Sequence, residues 1–356
     1  MAGSQPLWRR LFLGLAPFVL TLAAASVLIL LVDRSPWEVF SALFQGAFGT
    51  AIKRADTAVA WVSVAIASAG LLVTFRAGQW NIGVEGQITM GAIFAFWAGR
   101  VLWEAPAGVA LPAMILWGMV GGMFWAVLVA ILRVYGGVHE IFGGLGLNFV
   151  STSVMIMLIS GPWRPEGTST VSTTDLLPQT IWLPTLGDLR VSPISVVLAI
   201  VVVIAVTVSL SGTIWGLQLK AVGRNMRGAF VMGIPTNRML FSAYIVGGLC
   251  AGLVGALLLV GVRHQLVQGI SAGYGFLGIL IVLLSGFNGV WIAPIALFFA
   301  ALGIGGTALR LSLDLDSSLG GVLIGVIVLS YEMVQGLRQR FGARLGLGQP
   351  AGNQEG

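Results

Sequence analysis

Ten times along this chain a mostly apolar run returns, at 11–32, 57–75, 82–103, 109–132, 141–160, 193–214, 239–262, 274–287, 290–309 and 319–336. A helix needs about 20 such residues to cross the hydrocarbon core of a bilayer. Within lipid every backbone N–H and C=O must find its partner inside the protein, which restricts open segments to helices. The recurrence therefore predicts an all-α integral membrane protein, a polytopic bundle of about ten segments. It forms a single transmembrane domain over 1–338, with a flexible cytoplasmic tail at 339–356. Only 9% of the residues are charged and 57% are hydrophobic, whereas soluble domains carry about a quarter charged residues. The 274–287 run is short and glycine-bounded, which predicts a broken or re-entrant piece sheltered from lipid by protein or water.

The net charge of +6 does not describe a nucleic-acid face, because the basic residues lie in small clusters at the ends of the runs. With the N-terminus inside, more lysines and arginines fall in the inner connections than in the outer ones, so the positive-inside bias places both termini in the cytoplasm. The first run is too long for a secretory leader, lacks a small-residue cleavage site before Asp33, and predicts a spanning helix. Cys250 is the only cysteine, which excludes an internal disulfide and predicts a small packing residue in a glycine-rich helix.

Arg76–Ala92, RAGQWNIGVEGQITMGA, places Glu85 in a segment otherwise fit for lipid or packed protein. A carboxylate at mid-bilayer costs about 2.5–3.5 kcal/mol on insertion scales and marks a bundle interior or a wet cavity. Polar Gln79, Asn81 and Gln87 flank it, together with glycines that let neighbouring backbone come close. This pattern reads either as a lined path or as a helix–helix seam. GVHEIFGGLGLNFV at 137–150 repeats the theme, with Glu140 near the inner end and Asn148 about two turns deeper. A polar, glycine-rich lead enters an apolar run again near 268–284, so Gln79–Phe96 and Gln268–Leu284 read as corresponding halves of an internal repeat with a pathway at their interface.

The connections differ in character. Residues 33–56 read as an amphipathic piece with Trp37, Phe40, Phe44 and Phe48 near helical spacing, lying on the bundle or in the interface. Gly118, Gly121 and Gly122 predict a close-packing seam in 109–132. The outer loop 161–192, rich in proline, serine and threonine, resists regular helix and offers a docking surface. The inner loop 215–238 is the one dense in positive charge. Leu219–Met232 within it predicts a short amphipathic helix with Val222, Met226, Ala229 and Phe230 on one side, stopped by Gly233 and Pro235. Such a helix seats either in the membrane interface or in the groove of a cytoplasmic partner.

Lys53 and Lys220 are the only lysines and neither ends a phosphate-binding GxxxxGK[ST] loop, so the chain does not hold ATP in that manner. His139, His264 and one cysteine make no metal-ligand set, and no nucleophile elbow is present. A transporter, a channel or a membrane subunit of a larger machine remains. A proton-coupled carrier or channel would use Glu85 as its relay.

FRAGQWNIGVEGQITMGA at 75–92 resembles the FxxGxxNIGxEGQ signature of the ABC-transporter permeases for nucleosides and simple sugars, kin to the ribose and branched-chain amino-acid permeases. GGVHEIFGGLGLNFV resembles that family's NEVxxTxMLNY segment. LKAVGRNMRGAFVMGI resembles its RAxGxNxxAAxxxGI coupling loop, and GISAGYGFLGILIVLLSGFNGVWIAP its GxGFxGIAVALLG segment. His139 stands where the family has Asn, Gly143 and Gly144 where it has hydroxyl-bearing residues, Gly228 where it has Ala, and Ser285 where it has Gly.

The resemblance implies a multi-pass permease subunit in the bacterial cytoplasmic (inner) membrane. It would pair with a second, paralogous permease subunit, two ABC ATPase subunits that hold ATP and Mg²⁺, and an extracytoplasmic substrate-binding protein. No cofactor is implied on this chain. Ala221, Gly223, Arg224, Asn225, Ala229 and Gly233 would form the coupling site seated on the ATPase. Trp80, Asn81, Glu85, Gln87 and Asn148 would line the translocation path with low affinity for a nucleoside or simple sugar.

Overall fold

The computed structural model describes residues 20–31, 33–165, 173–313 and 318–341. The start of the first apolar run, residues 166–172 of the outer loop and the tail from 342 lie outside these. The described chain is helical, apart from one isolated bridge between Thr173 and Val267. It comprises α1 (Leu20–Leu30), α2 (Pro36–Phe48), α3 (Ala51–Arg76), α4 (Val84–Val101), α5 (Ala107–Val134), α6 (Glu140–Ser160), α7 (Pro193–Gly212), α8 (Ile214–Arg224), α9 (Met226–Val231), α10 (Thr236–Leu258), α11 (Tyr274–Leu284), α12 (Ile292–Leu313) and α13 (Ser318–Phe341).

Each of the ten apolar runs falls on a helix, but among the described residues six helical spans are long and apolar enough to cross a membrane. They are Ala51–Arg76, Ala107–Val134, Glu140–Ser160, Pro193–Gly212, Thr236–Arg263 and Gly289–Leu309. The structure thus supports six candidate spans where the sequence predicts about ten segments. For two of the four remaining runs the shortfall has a physical cause. α4 carries Glu85, Gln87, Thr89 and Arg100 and is buried along nearly its whole length, so neighbouring protein relieves it of the need for lipid-grade hydropathy. α11 has only 11 residues, about 16 Å at 1.5 Å per residue, half of what a crossing requires.

The chain divides into two units, 1–50 with 301–356, and 51–300. In the first, Ala25, Ile29, Val39, Leu43, Leu302, Leu309, Leu323 and Ile327 make a common core. α2 takes the amphipathic form expected, burying Val39, Leu43, Gly46 and Ala47 while Trp37 and Phe44 stay exposed.

The second unit is built around α3 and α10, whose spanning windows are 78% buried, against 22–39% for α5, α6 and α7. Its centre is a glycine seam at which α4, α5 and α10 meet main chain to main chain. A Cβ on Gly91 would lie 2.5 Å from the Gly252 Cα, and one on Gly122 equally close to it. Small residues at such crossings let dispersion contacts replace the hydrophobic drive that lipid removes. The seam foreseen at Gly118, Gly121 and Gly122 is present, with Gly252 as its counterpart on α10. Cys250 is buried on the same helix, packed on Gly70 of α3.

Candidate coupling and translocation site

α3 ends at Arg76, and the chain reverses through Ala77–Gly83 into α4. The turn closes by main-chain bonds from Gly78 N–H to the Phe75 carbonyl (2.9 Å) and Gln79 N–H to the Thr74 carbonyl (2.9 Å). Gly78 has φ +73°, a left-handed conformation that costs a side-chain-bearing residue energy.

Beyond the turn the polar side chains pair with protein groups. Asn81 and Gln87, both fully buried, exchange amide hydrogen bonds at 3.0 and 2.9 Å. Asn148 on α6 accepts from the Gly86 N–H at 2.8 Å and donates to the Ile82 carbonyl at 2.9 Å, clamping the start of α4. Glu85 reaches the first turn of α11, where its Oε1 accepts from the Phe276 N–H at 3.1 Å beside the Ser271 hydroxyl and the Gly275 amide. Helix N-terminal amides are unpaired donors with a positive field, so a carboxylate belongs there. Trp80 lies apart from these, exposed and packed on Phe75. Four of the five sequence-selected residues therefore gather at one place, with their polar atoms engaged by neighbouring helices.

Of the departures at 139, 143 and 144, the one at 144 has a packing reason. The His139 side chain accepts from the Ile141 N–H and caps α6. Gly144 touches Gly83, and a Cβ there would sit 2.6 Å from the Gly83 nitrogen, whereas Gly143 has room for one. Beside the turn, Arg133 Nε lies 3.2 Å from Gln79 Oε1 and 3.1 Å from the Glu140 carboxylate, tying α5 to α6 and to the turn.

The basic loop 215–238 is not one helix over Leu219–Met232. It breaks at Asn225, whose extended backbone ends α8 while its side chain accepts from the Gly228 N–H at 2.9 Å and starts α9. Asparagine competes for nearby backbone and favours such caps. The expected apolar side also divides: Val222 and Ala229 are buried, while Met226 and Phe230 are exposed. Phe230, Val231 and Met232 form an apolar tip before Gly233, which has φ +85°. Gly223, Arg224 and Asn225 are exposed and Ala221 half-buried. Gly223 lies directly against the Arg76 carbonyl and the Gly78 nitrogen. This contact between the basic loop and the 76–92 turn was not foreseen. A pair of glycines far apart in sequence was its only trace.

On the opposite end the outer loop is held by main chain. Thr174, Leu177 and Leu183 donate N–H groups to the carbonyls of Leu266, His264 and Val260 at 3.1, 2.8 and 3.0 Å. Trp182 stacks on His264 at 3.7 Å between ring centres, and burial there pushes the imidazole below its usual pKa. A recess of about 450 Å³ beside them is lined by Trp182, Asp188, Arg190, Arg263, His264 and Gln265.

The helical bundle thus carries a polar cluster at the start of α4, with a basic, apolar-tipped loop packed on the turn that precedes it. Residues 54–330 match the family model described as branched-chain amino acid transport system / permease component, and the chain belongs to that family. It is 27% identical to the glucose ABC transporter permease protein TsgB13 of Haloferax volcanii, over 91% of this chain and 87% of that protein. The guanosine ABC transporter permease protein NupP of Bacillus subtilis is 25% identical over 90% of this chain and 92% of its own. A further B. subtilis guanosine ABC transporter permease protein, NupQ, is 24% identical over 68% of this chain and 78% of its own. The chain is thus a membrane-spanning permease subunit of the ABC class. The proton-coupled carrier or channel built on Glu85 is not favoured.

Proposed function

We propose that this chain is one half of the membrane pathway of an ATP-driven importer for nucleosides or simple sugars. ATP and Mg²⁺ bind on partner ATPase subunits, and an extracytoplasmic binding protein delivers the solute. The observation that carries this reading is the contact of Gly223 with the Arg76–Gly78 turn. It joins the loop facing a cytoplasmic partner to the segment holding Asn81, Glu85, Gln87 and Asn148.

In this reading Ala221, Gly223, Arg224, Asn225, Ala229 and Gly233 form the coupling site, with the exposed tip Phe230–Met232 entering an ATPase groove. Arg224 pairs with acidic partner residues through a charge-assisted bond. Guanosine and glucose systems among the relatives support a neutral, hydroxyl-rich solute. NupP and NupQ, two permease proteins of one organism, support a paralogous second subunit. The contact of Glu85 with Phe276 brings the two glycine-rich leads together and supports a path beside them. That path opens only when the buried pairs exchange protein partners for solute. The protein sits in the bacterial cytoplasmic membrane with both termini inside. The recess at Trp182 and Arg190 faces the binding protein.

The test is co-purification of this chain with the ATPase encoded beside it, followed by uptake in proteoliposomes. ATP-dependent uptake that survives collapse of the proton gradient supports the reading. Uptake without ATP that stops with the gradient overturns it.

A further inference from the structure

α11 is short, and its connections are unusual. The chain enters it through His264, Gly269, Ala272 and Gly273 and leaves through Gly286 and Phe287, all with positive φ. Such sharply turned ends are where a moving element absorbs changes in backbone angle. The connection from α10 is itself anchored, with Leu266, Ile270 and Ser271 buried, so the sharp turns nearest α11 are where its angle to α10 and α12 is set.

Besides its packing along α3, it is held by the 76–92 segment at both ends. Glu85 takes the Phe276 N–H at the N-terminal turn. Eleven residues further on, Arg76 donates to the Phe287 carbonyl at the C-terminal turn, from Nε at 3.0 Å and from a second guanidinium nitrogen. Between the two grips, Gly278 lies against Leu71 and Ser68 of α3. The two charges match the helix field, anion at the start and cation at the end. The same Arg76 contributes the carbonyl against which Gly223 of the basic loop packs.

We propose that Arg76 and Glu85 grip α11 at its two ends so that it travels with the α3–α4 turn, and that Arg76 is the positioning residue passing displacement of the Gly223 loop to this half-helix. The inference rests on the reading of the chain as an ATP-driven permease. α11 then shifts with each ATPase stroke, and its N-terminal turn, beside the buried polar cluster, is the part of the pathway that the stroke moves.

The experiment uses the complete transporter, with its ATPases and binding protein, in proteoliposomes. Uptake per ATP hydrolysed is measured for the wild type, Arg76→Gln and Arg76→Lys. Ala272→Cys then reports the entrance to α11 by maleimide labelling with and without trapped nucleotide, the native Cys250 being buried.

Arg76→Gln is expected to keep ATP hydrolysis while uptake per ATP falls about tenfold, within the usual range of coupling between sites. The nucleotide-linked change at residue 272 falls with it. Arg76→Lys, which keeps the charge but not the double grip, is expected to fall about threefold. It carries the test if Arg76→Gln does not assemble. Unchanged uptake per ATP in Arg76→Lys and in any assembled Arg76→Gln overturns the proposal, as does labelling that ignores nucleotide in the parent. Both leave the permease reading intact. Loss of ATP dependence in the wild type overturns that reading instead.

Discussion

Gly143 and Gly144 are neighbours with opposite tolerances. A methyl group on Gly144 meets the Gly83 backbone at 2.6 Å, while one on Gly143 finds its nearest atom at 3.6 Å. Overpacking of a tight site costs about 1–3 kcal/mol. Gly144→Ala is therefore expected to lower the thermal midpoint of the purified protein by several degrees, and Gly143→Ala to leave it nearly unchanged. Equal midpoints would contradict the close approach of α6 to the start of α4.

Glu85 invites a second comparison at the same scale. Glu85→Gln keeps one oxygen for the Phe276 N–H, replaces the second acceptor with a donor, and loses the charge, worth about 0.3–1 kcal/mol at a helix N-terminus. Transport within a few-fold of wild type is expected. Complete loss with normal assembly would restore a charge-dependent role. The sequence exposed this carboxylate, its polar neighbours and the glycines, because a charge among apolar residues stands out. The partner did not stand out: the Phe276 N–H is a main-chain group 191 positions away, and main-chain groups leave no signature in side-chain identity.

Among the elements, helix existence was legible wherever apolar runs were long, and the glycine seam of α5 could be read from spacing. The break at Asn225 was not, since residues 219–232 carry helix-forming stretches on both sides and only the capping bond to Gly228 decides the outcome. The short α11 was visible as a short run, while its attachment by Arg76 and Glu85 depends on tertiary folding. The contact of α8 with the 76–78 turn yields the prediction at this scale. Gly223→Glu places a charged chain where the Arg76 carbonyl already lies, so α8 must lift away. Uptake is expected to fall at least about tenfold, the range of a broken coupling, with the chain still inserted and still recovered with its ATPase. Intact uptake would remove α8 from the coupling route.

At the scale of the second unit, burial falls from α3 and α10 outward, 78% to 22–39%. Hydropathy alone ranks these helices poorly: α7 is the most apolar span, at 2.8, yet only 28% buried, while α3 at 2.1 is 78% buried. The centre is defined by small residues and paired amides, and the periphery by large apolar side chains such as Phe142, Phe149 and Val201 that remain exposed. Composition therefore identified a membrane protein. The buried pairs mark the helices that meet at the centre of this unit.

The outer loop is fastened to Val260, His264 and Leu266 through N–H and C=O groups that every residue except proline possesses in full. Exchange of side chains that spares the buried Thr174, Leu177, Ile181 and Leu183 and the stacked Trp182 thus leaves its anchorage intact. Such a loop is an evolvable surface: its recognition chemistry is free to drift toward a new delivery protein while its position over the bundle stays constant.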